Sequence, residues 1–251
     1  MKLQISSAAR VLPFALALLL GGCGGSEESN LSVTANAPAP QLDPIAAPNG
    51  GDWTQTVTQT PEGGYLLGNP NAPVKLVEYA SLTCPHCRAF SEEATGPLRD
   101  TYIRSGRVSW EFRNFVLNAP DMAISVAARC QPPAAFFQTI EQIFSQQSEL
   151  LSAIDESESQ RLQALPPEQL IAPLARAMDL DVFFARRGMP ESRFSQCLGN
   201  PQGAQQLTDM TSRATTEQQV TGTPTFFING ERQEADSWSN LEPRLRAALG
   251  S

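Results

Sequence analysis

Cys84 and Cys87 stand three residues apart, directly after an apolar run, Val74-Lys75-Leu76-Val77-Glu78-Tyr79, that reads as a core strand. From about residue 84 to residue 103 the periodicity becomes helical, with Phe90, Ala94, Leu98 and Tyr102 on one face. Two cysteines one turn apart at the start of a helix bring their sulfurs within bonding distance. The first sulfur meets the unpaired N–H groups and the positive end of the helix dipole, and both favour a thiolate. Pro85 suits the first turn, where its missing N–H costs nothing. His86 lies between the sulfurs. When protonated it stabilises the thiolate, and a stabilised reduced pair makes the disulfide a stronger oxidant. Cys84-Pro85-His86-Cys87 therefore reads as a redox pair. A zinc site needs four ligands, and the chain has one histidine and no second Cys-x-x-Cys. A c-type haem needs histidine directly after the second cysteine, where Arg88 stands. The remaining alternative is an inert structural disulfide, which the activating helix start disfavours.

Residues 53–58 alternate and are expected to form a strand, Gly63-Gly64 a turn, residues 69–73 a loop, and residues 108–116 a second long strand. From 120 to 219 the pattern is helical throughout, most clearly over 123–130, 134–151, 167–178 and 201–219. Thr225-Phe226-Phe227-Ile228 is a short buried strand, Asn229-Gly230 a hairpin turn, and residues 241–249 a closing amphipathic helix. Strand, helix, strand, a block of helices, hairpin and helix make an α/β plan with one large helical insertion. Within the core strand Glu78 shares a face with Leu76. Buried near the sulfurs, it would have a raised pKa and could carry a proton as the disulfide forms or breaks. The alternative is a strand-end glutamate facing water.

Two stretches now in hand, Val77-Glu78-Tyr79-Ala80-Ser81-Leu82-Thr83-Cys84-Pro85-His86-Cys87 and Gly222-Thr223-Pro224-Thr225-Phe226-Phe227-Ile228-Asn229-Gly230, resemble the DsbA-like branch of the thioredoxin superfamily over roughly residues 52–249. The resemblance implies a thioredoxin fold with a large all-helical insertion, about 118–219, between its βαβ and ββα halves. It implies a thiol:disulfide oxidoreductase with no cofactor beyond the Cys84–Cys87 disulfide. Cys84 would be the attacking and attacked sulfur, Cys87 the buried resolving one and Glu78 the buried acid. Thr223 and Pro224 would form a cis-proline loop that pairs with client backbone. Partners would be exported client proteins, unfolded or folding, and a membrane protein that recycles the pair. A disulfide donor is the leading reading; threonine before Pro224 occurs in reducing and isomerising relatives as well as oxidases and leaves the direction of electron flow open. A reductase or isomerase using the same residues, or a non-catalytic binding lipoprotein, stands as the alternative.

The first 50 or so residues do not look globular. Lys2 and Arg10 precede and flank a short apolar run that ends Leu20-Gly21-Gly22-Cys23. Ten apolar residues are too few to span a bilayer, and the pattern is a signal peptide, residues 1–22. The tetrapeptide resembles a bacterial lipoprotein signal, in which Cys23 is lipidated. Gly24 in place of aspartate favours the outer membrane over the inner, with the protein facing the periplasm. Residues 23–51, rich in Pro, Ala and Gly, read as a disordered tether, and 52–251 as the catalytic domain. The chain carries net charge −8, and −10 once Lys2 and Arg10 are removed, which argues against nucleic acid as a partner. Cys130 and Cys197 remain, and an exported chain with two spare thiols invites a structural disulfide between them. Two buried free thiols or a second electron relay are the rival readings. Cys23→Ser is expected to abolish incorporation of a palmitate analogue and to release the protein from membranes, which labelling and fractionation would check.

Overall fold

The computed structural model describes residue 40 and residues 42–250 apart from 167 and 168. Cys23, the expected signal peptide and most of the expected tether lie outside the described residues. Strands β1 (Val57–Gln59), β2 (Tyr65–Gly68), β3 (Val74–Ala80), β4 (Val108–Asn114), β5 (Thr225–Ile228) and β6 (Glu231–Gln233) form one sheet, in the order β1-β2-β4-β3-β5-β6. Only β3 and β4 run parallel among these pairs. A parallel pair needs a crossover, and helix α1 (Pro85–Pro97) supplies it. The redox loop after β3 and the chain leaving β4 thus emerge at the same end of the sheet. At the hairpin between β5 and β6, Asn229 and Gly230 both adopt positive φ, 51° and 85°, as a two-residue turn of matching twist requires.

Between β4 and β5 lie α2 (Ala119–Arg129), α3 (Phe136–Ser145), α4 (Gln147–Ser152), α5 (Glu156–Gln163), α6 (Ile171–Ala177), α7 (Leu180–Ala185), α8 (Glu191–Leu198) and α9 (Pro201–Glu217); α10 (Trp238–Leu249) closes the chain. One sheet face packs aromatic rings against α1 and α3. Phe226 meets Phe90 at 4.5 Å between centroids, Trp110 meets Phe137 at 4.8 Å, and Tyr65 stacks on Phe136 at 4.0 Å. The other face carries a smaller apolar cluster of Tyr79, Phe115, Phe227, Val220 and Ala214, the last from α9. This is the thioredoxin-like α/β arrangement that the sequence implied, with the helical block where it was expected.

Four local differences have physical reasons. Residues 53–55 form a 3-10 turn and not a strand, because the Asp52 carboxylate accepts from Thr54 N and Thr54 Oγ1, each at 2.8 Å. Strand β2 gives no periodic signal: Tyr65, Leu67 and Gly68 are all buried, so its sequence shows no alternation to read. The helix expected over 84–103 widens after Pro97, which has no N–H to give, and ends in a turn where Arg104 N donates to Arg99 O at 3.0 Å. The helix expected over 134–151 breaks at Gln146, φ −108° and ψ 11°, into α3 and α4. Gly106 ends the widened turn at φ +71°, and any Cβ there would sit 2.6 Å from the Ile45 carbonyl.

Cys130, at the C-terminal cap of α2, is joined to Cys197 of α8, with Cα atoms 6.0 Å apart at a sequence separation of 67. The bond closes a long loop within a block of short helices, and such closure restricts the unfolded chain. Replacing both cysteines with alanine is expected to lower the unfolding free energy by about 2–5 kcal/mol, read as a smaller urea midpoint at unchanged slope.

Candidate active site

Strand β3 ends at Ala80, and the loop Ser81-Leu82-Thr83 delivers Cys84 to the N-cap of α1. Pro85 occupies the first helical position, as its fixed φ favours. Cys84 is 6% exposed and Cys87, one turn on, is fully buried; both are unbonded thiols in this structure. The Cys84 thiol is pulled down to about 5, first by its hydrogen bond with Cys87, then by the Thr223 side chain and the backbone N–H groups of Cys87 and His86, against the opposing effect of burial. Cys87 moves the other way. Burial, the neighbouring Cys84 and the charge of Glu78 all push its thiol well above the ordinary value. The two sulfurs are thus electrostatically unequal: one is a thiolate at neutral pH and the other a thiol.

Glu78 lies beneath them, 1% exposed, on the β3 face that it shares with Leu76. Desolvation raises its carboxyl to about 8, the hydrogen bond from Trp110 Nε1 to Oε2 at 3.0 Å opposes this, and the charge of Cys84 adds to it. The water-facing alternative for Glu78 is therefore excluded. His86 is exposed in the first turn of α1. Its charge reaches Asp236, whose carboxyl is held low chiefly by Asn240 and Ser237.

From the far side of the sequence, the peptide bond Thr223-Pro224 is cis and directly precedes β5. While protonated, the Cys84 thiol donates to the Thr223 carbonyl at 3.3 Å. The Thr223 hydroxyl is buried without a hydrogen-bond partner, and the Thr223 side chain lowers Cys84 further. The structure thus brings Cys84, Pro85, Cys87, Glu78, Thr223 and Pro224 into one locus at the C-terminal end of β3. Cys130 and Cys197 are joined within the helical block, and Cys23 lies outside the described residues.

Three residues of this locus were not singled out by sequence. Trp110 is the partner of Glu78, and strand alternation in β4 places it on the correct face. Asp121 and Gln147, both buried, bond to the redox loop from the helical block. Asp121 carries a local signal, since Asn118 caps α2 by accepting from Asp121 N at 2.9 Å; Gln147 carries none.

A central sheet with a parallel β3-α1-β4 unit, an antiparallel β5-β6 hairpin and a dithiol at a helix N-terminus opposite a cis-proline define a thioredoxin-like redox fold. The chain belongs to the thioredoxin family, whose sequence model, described as Thioredoxin, matches residues 60–246. It is 33% identical to a protein-disulfide isomerase of Novosphingobium aromaticivorans known from its crystal structure, with a TM-score of 0.70 over 74% of this chain and 97% of that one. Wolbachia pipientis alpha-DsbA1 shares the fold at 21% identity and a TM-score of 0.60, over 76% of this chain and 91% of that one. A curated Rickettsia prowazekii protein named "Putative protein-disulfide oxidoreductase" is 24% identical over 196 residues, 78% of this chain. The chain spans 65% of that relative's length.

The buried carboxyl gives a test. Between about 4.5 and 8 the folded state holds a proton on Glu78 that the unfolded state has released, so this group's contribution to stability falls as pH rises through that window. Glu78→Gln is expected to remove that loss. The variant's urea midpoint, in the reduced form, should gain steadily on the wild type from pH 5 to pH 8.

Proposed function

We propose that the protein is a thiol–disulfide oxidoreductase that passes the Cys84–Cys87 disulfide to exported proteins. The observation that carries this reading is the inequality of the two sulfurs, with Cys84 held near 5 and Cys87 far above it. A client thiolate attacks Cys84 Sγ, the Cys84–Cys87 bond breaks, and Cys87 leaves and takes a proton. A second client thiolate then attacks the client sulfur of the mixed disulfide, and Cys84 leaves as the stabilised thiolate. Two electrons pass from two client thiols to the enzyme pair, and the client gains one disulfide. Glu78, at about 8 and in electrostatic reach of Cys87, is the buried group suited to hold or give the proton that Cys87 needs. Thr223 and Pro224 flank Cys84 where a client backbone would lie. No cofactor takes part, and a membrane redox partner would re-oxidise the pair.

The same atoms serve an isomerase, and the likeness to the Novosphingobium protein-disulfide isomerase favours that second reading. Against it, a strongly stabilised Cys84 thiolate favours the reduced enzyme, which makes its disulfide a donor.

The anchored location rests on Leu20-Gly21-Gly22-Cys23 and the tether after it. The last part of that expected tether docks on the domain. Asp43 O accepts from Arg107 Nε at 2.6 Å, and Ile45 N donates to Ser105 O at 2.7 Å, both just before β4. That is the opposite end of the parallel strands from Cys84, about 20 Å away at about 3.3 Å per residue. Among the described residues no helix is long and apolar enough to cross a membrane.

The reduction potential of the Cys84–Cys87 couple, measured against glutathione buffers on residues 52–251, decides the direction. A value near about −120 mV, where DsbA lies, is expected. A value near about −270 mV, where thioredoxin lies, would make the protein a reductase instead.

A further inference from the structure

The helical block meets the redox loop through two buried polar side chains, not only through apolar packing. Asp121, in the first turn of α2, is fully buried. Its Oδ1 accepts from Leu82 N at 3.0 Å and from Ser125 Oγ at 3.2 Å, and its Oδ2 accepts from Leu117 N at 3.0 Å. Gln147, the first residue of α4, is 3% exposed. Its Nε2 donates to Leu82 O at 2.9 Å and to Cys84 O at 3.1 Å. Leu82 therefore has its N–H held by one insertion helix and its carbonyl held by another. The next residue, Ser148, accepts from Arg88 Nη1 at 2.8 Å, so α4 also touches α1 one turn beyond Cys84.

These bonds fall on backbone that no strand or helix holds. Residues 81–84 lie between β3 and α1, and the Cys84 carbonyl accepts only its first intrahelical bond, from Arg88 N at 3.1 Å, besides the Gln147 amide. Yet the whole anion-stabilising arrangement depends on this loop. Cys84 reaches the N–H groups of His86 and Cys87 only while its backbone stays at φ −79°, ψ 122°. A loop free to rotate would carry Sγ away from them.

We infer that Asp121 and Gln147 are positioning residues for the thiol–disulfide reaction: they clamp the peptide groups of Leu82 and Cys84 from the helical block and so fix the sulfur of Cys84 against the start of α1. This rests on the functional reading above. It gives the insertion a role in setting the redox strength of a site to which it contributes no reacting atom. Losing the clamp raises the Cys84 pKa, weakens the reduced form and makes the disulfide less oxidising.

The test is Gln147→Met, which keeps the length and volume of the side chain and removes the donor. Thiolate absorbance against pH should show Cys84 titrating higher, and the equilibrium constant with glutathione should fall by about two- to tenfold, the equivalent of one of the two lost hydrogen bonds. Leu174→Ala, which loosens the block at a buried apolar position of α6, serves as the control for general destabilisation. An unchanged titration in Gln147→Met, or an equal shift in Leu174→Ala, would overturn the clamp. Should Gln147→Met fail to fold, Asp121→Asn and amide exchange in the wild type decide the matter. The variant should shift the titration in the same direction, and the Leu82 amide should exchange as slowly as those of β3, although it lies in a loop. An unshifted variant or a fast Leu82 amide would overturn the clamp. A wild-type Cys84 titrating at an ordinary thiol value would sink the functional reading and the clamp together; a wild-type value near 5 with unshifted variants sinks the clamp alone.

Discussion

The site depends on one interaction, the stabilisation of the Cys84 sulfur as an anion, first by the Cys87 thiol and then by Thr223 and the N–H groups at the start of α1. Burial works against it, since a sulfur with 6% exposure loses most of its hydration as an anion. The hydrogen bonds of Cys87, Thr223 and the helix N-terminus more than offset that loss, and the net movement is downward. Cys87 and the backbone donors belong to α1, but Thr223 lies 139 residues beyond Cys84, so the sheet has to bring the two parts together. Strand β3 carries Cys84 to the helix, and β5, paired with β3 through Glu78 and Phe226, carries the cis-proline loop to the sulfur's other side. The parallel β3-β4 pair fixes where α1 begins.

Stabilising one anion makes its neighbours hard to ionise. Cys87 and Glu78 lie in the same low-dielectric pocket and each feels the charge of Cys84. Their pKa values rise for that reason as well as from desolvation. The result is a gradient of proton affinity across the site: a thiolate at Cys84, a thiol at the more deeply buried Cys87 and a carboxyl near neutrality at Glu78. In the proposed reaction, breaking the disulfide would put charge first on Cys87, the sulfur least able to bear it, so a proton would have to arrive there. Glu78 is the group whose affinity lies closest to neutral pH, which suits it to either direction of transfer. Trp110 keeps its carboxyl turned inward without neutralising it.

Much of this was legible in the sequence because it was written in short-range signals. The run 74–79, the Cys84 to Cys87 spacing, the Asn229-Gly230 turn and the face of Phe90, Ala94 and Leu98 each state their structure within a few residues. What escaped was decided elsewhere. Residues 53–58 alternate, but Asp52 draws the first of them into a turn. Strand β2 is buried on both faces and shows no period. Gln146 sits in a segment of good helix formers, and only tertiary packing shows that the helix must break there to turn α4 toward the redox loop. Gln147 illustrates the limit. A glutamine at a helix start has no signature, and its partners lie 63 and 65 residues earlier in the chain.

The location of the insertion follows from the same geometry. Both of its ends fall at the redox end of the sheet: α2 begins soon after β4 finishes there, and α9 runs back to the loop that holds Thr223 and Pro224. An insertion at that end leaves the parallel pair and its crossover intact, so the thiolate-bearing helix start need not be rebuilt to accommodate it. It also places two helix beginnings, α2 and α4, next to the one stretch of the site that has no ladder of its own. The redox loop has local bonds only to Ser81, whose O accepts from Cys84 N and whose Oγ accepts from Thr83 N, each at 3.2 Å, so it depends on what packs over it. Covering it with helices whose first-turn side chains bond its amides turns the least constrained segment into one held on two sides. The disulfide between α2 and α8 then secures the helix that carries Asp121, far from the reacting sulfurs but mechanically continuous with them.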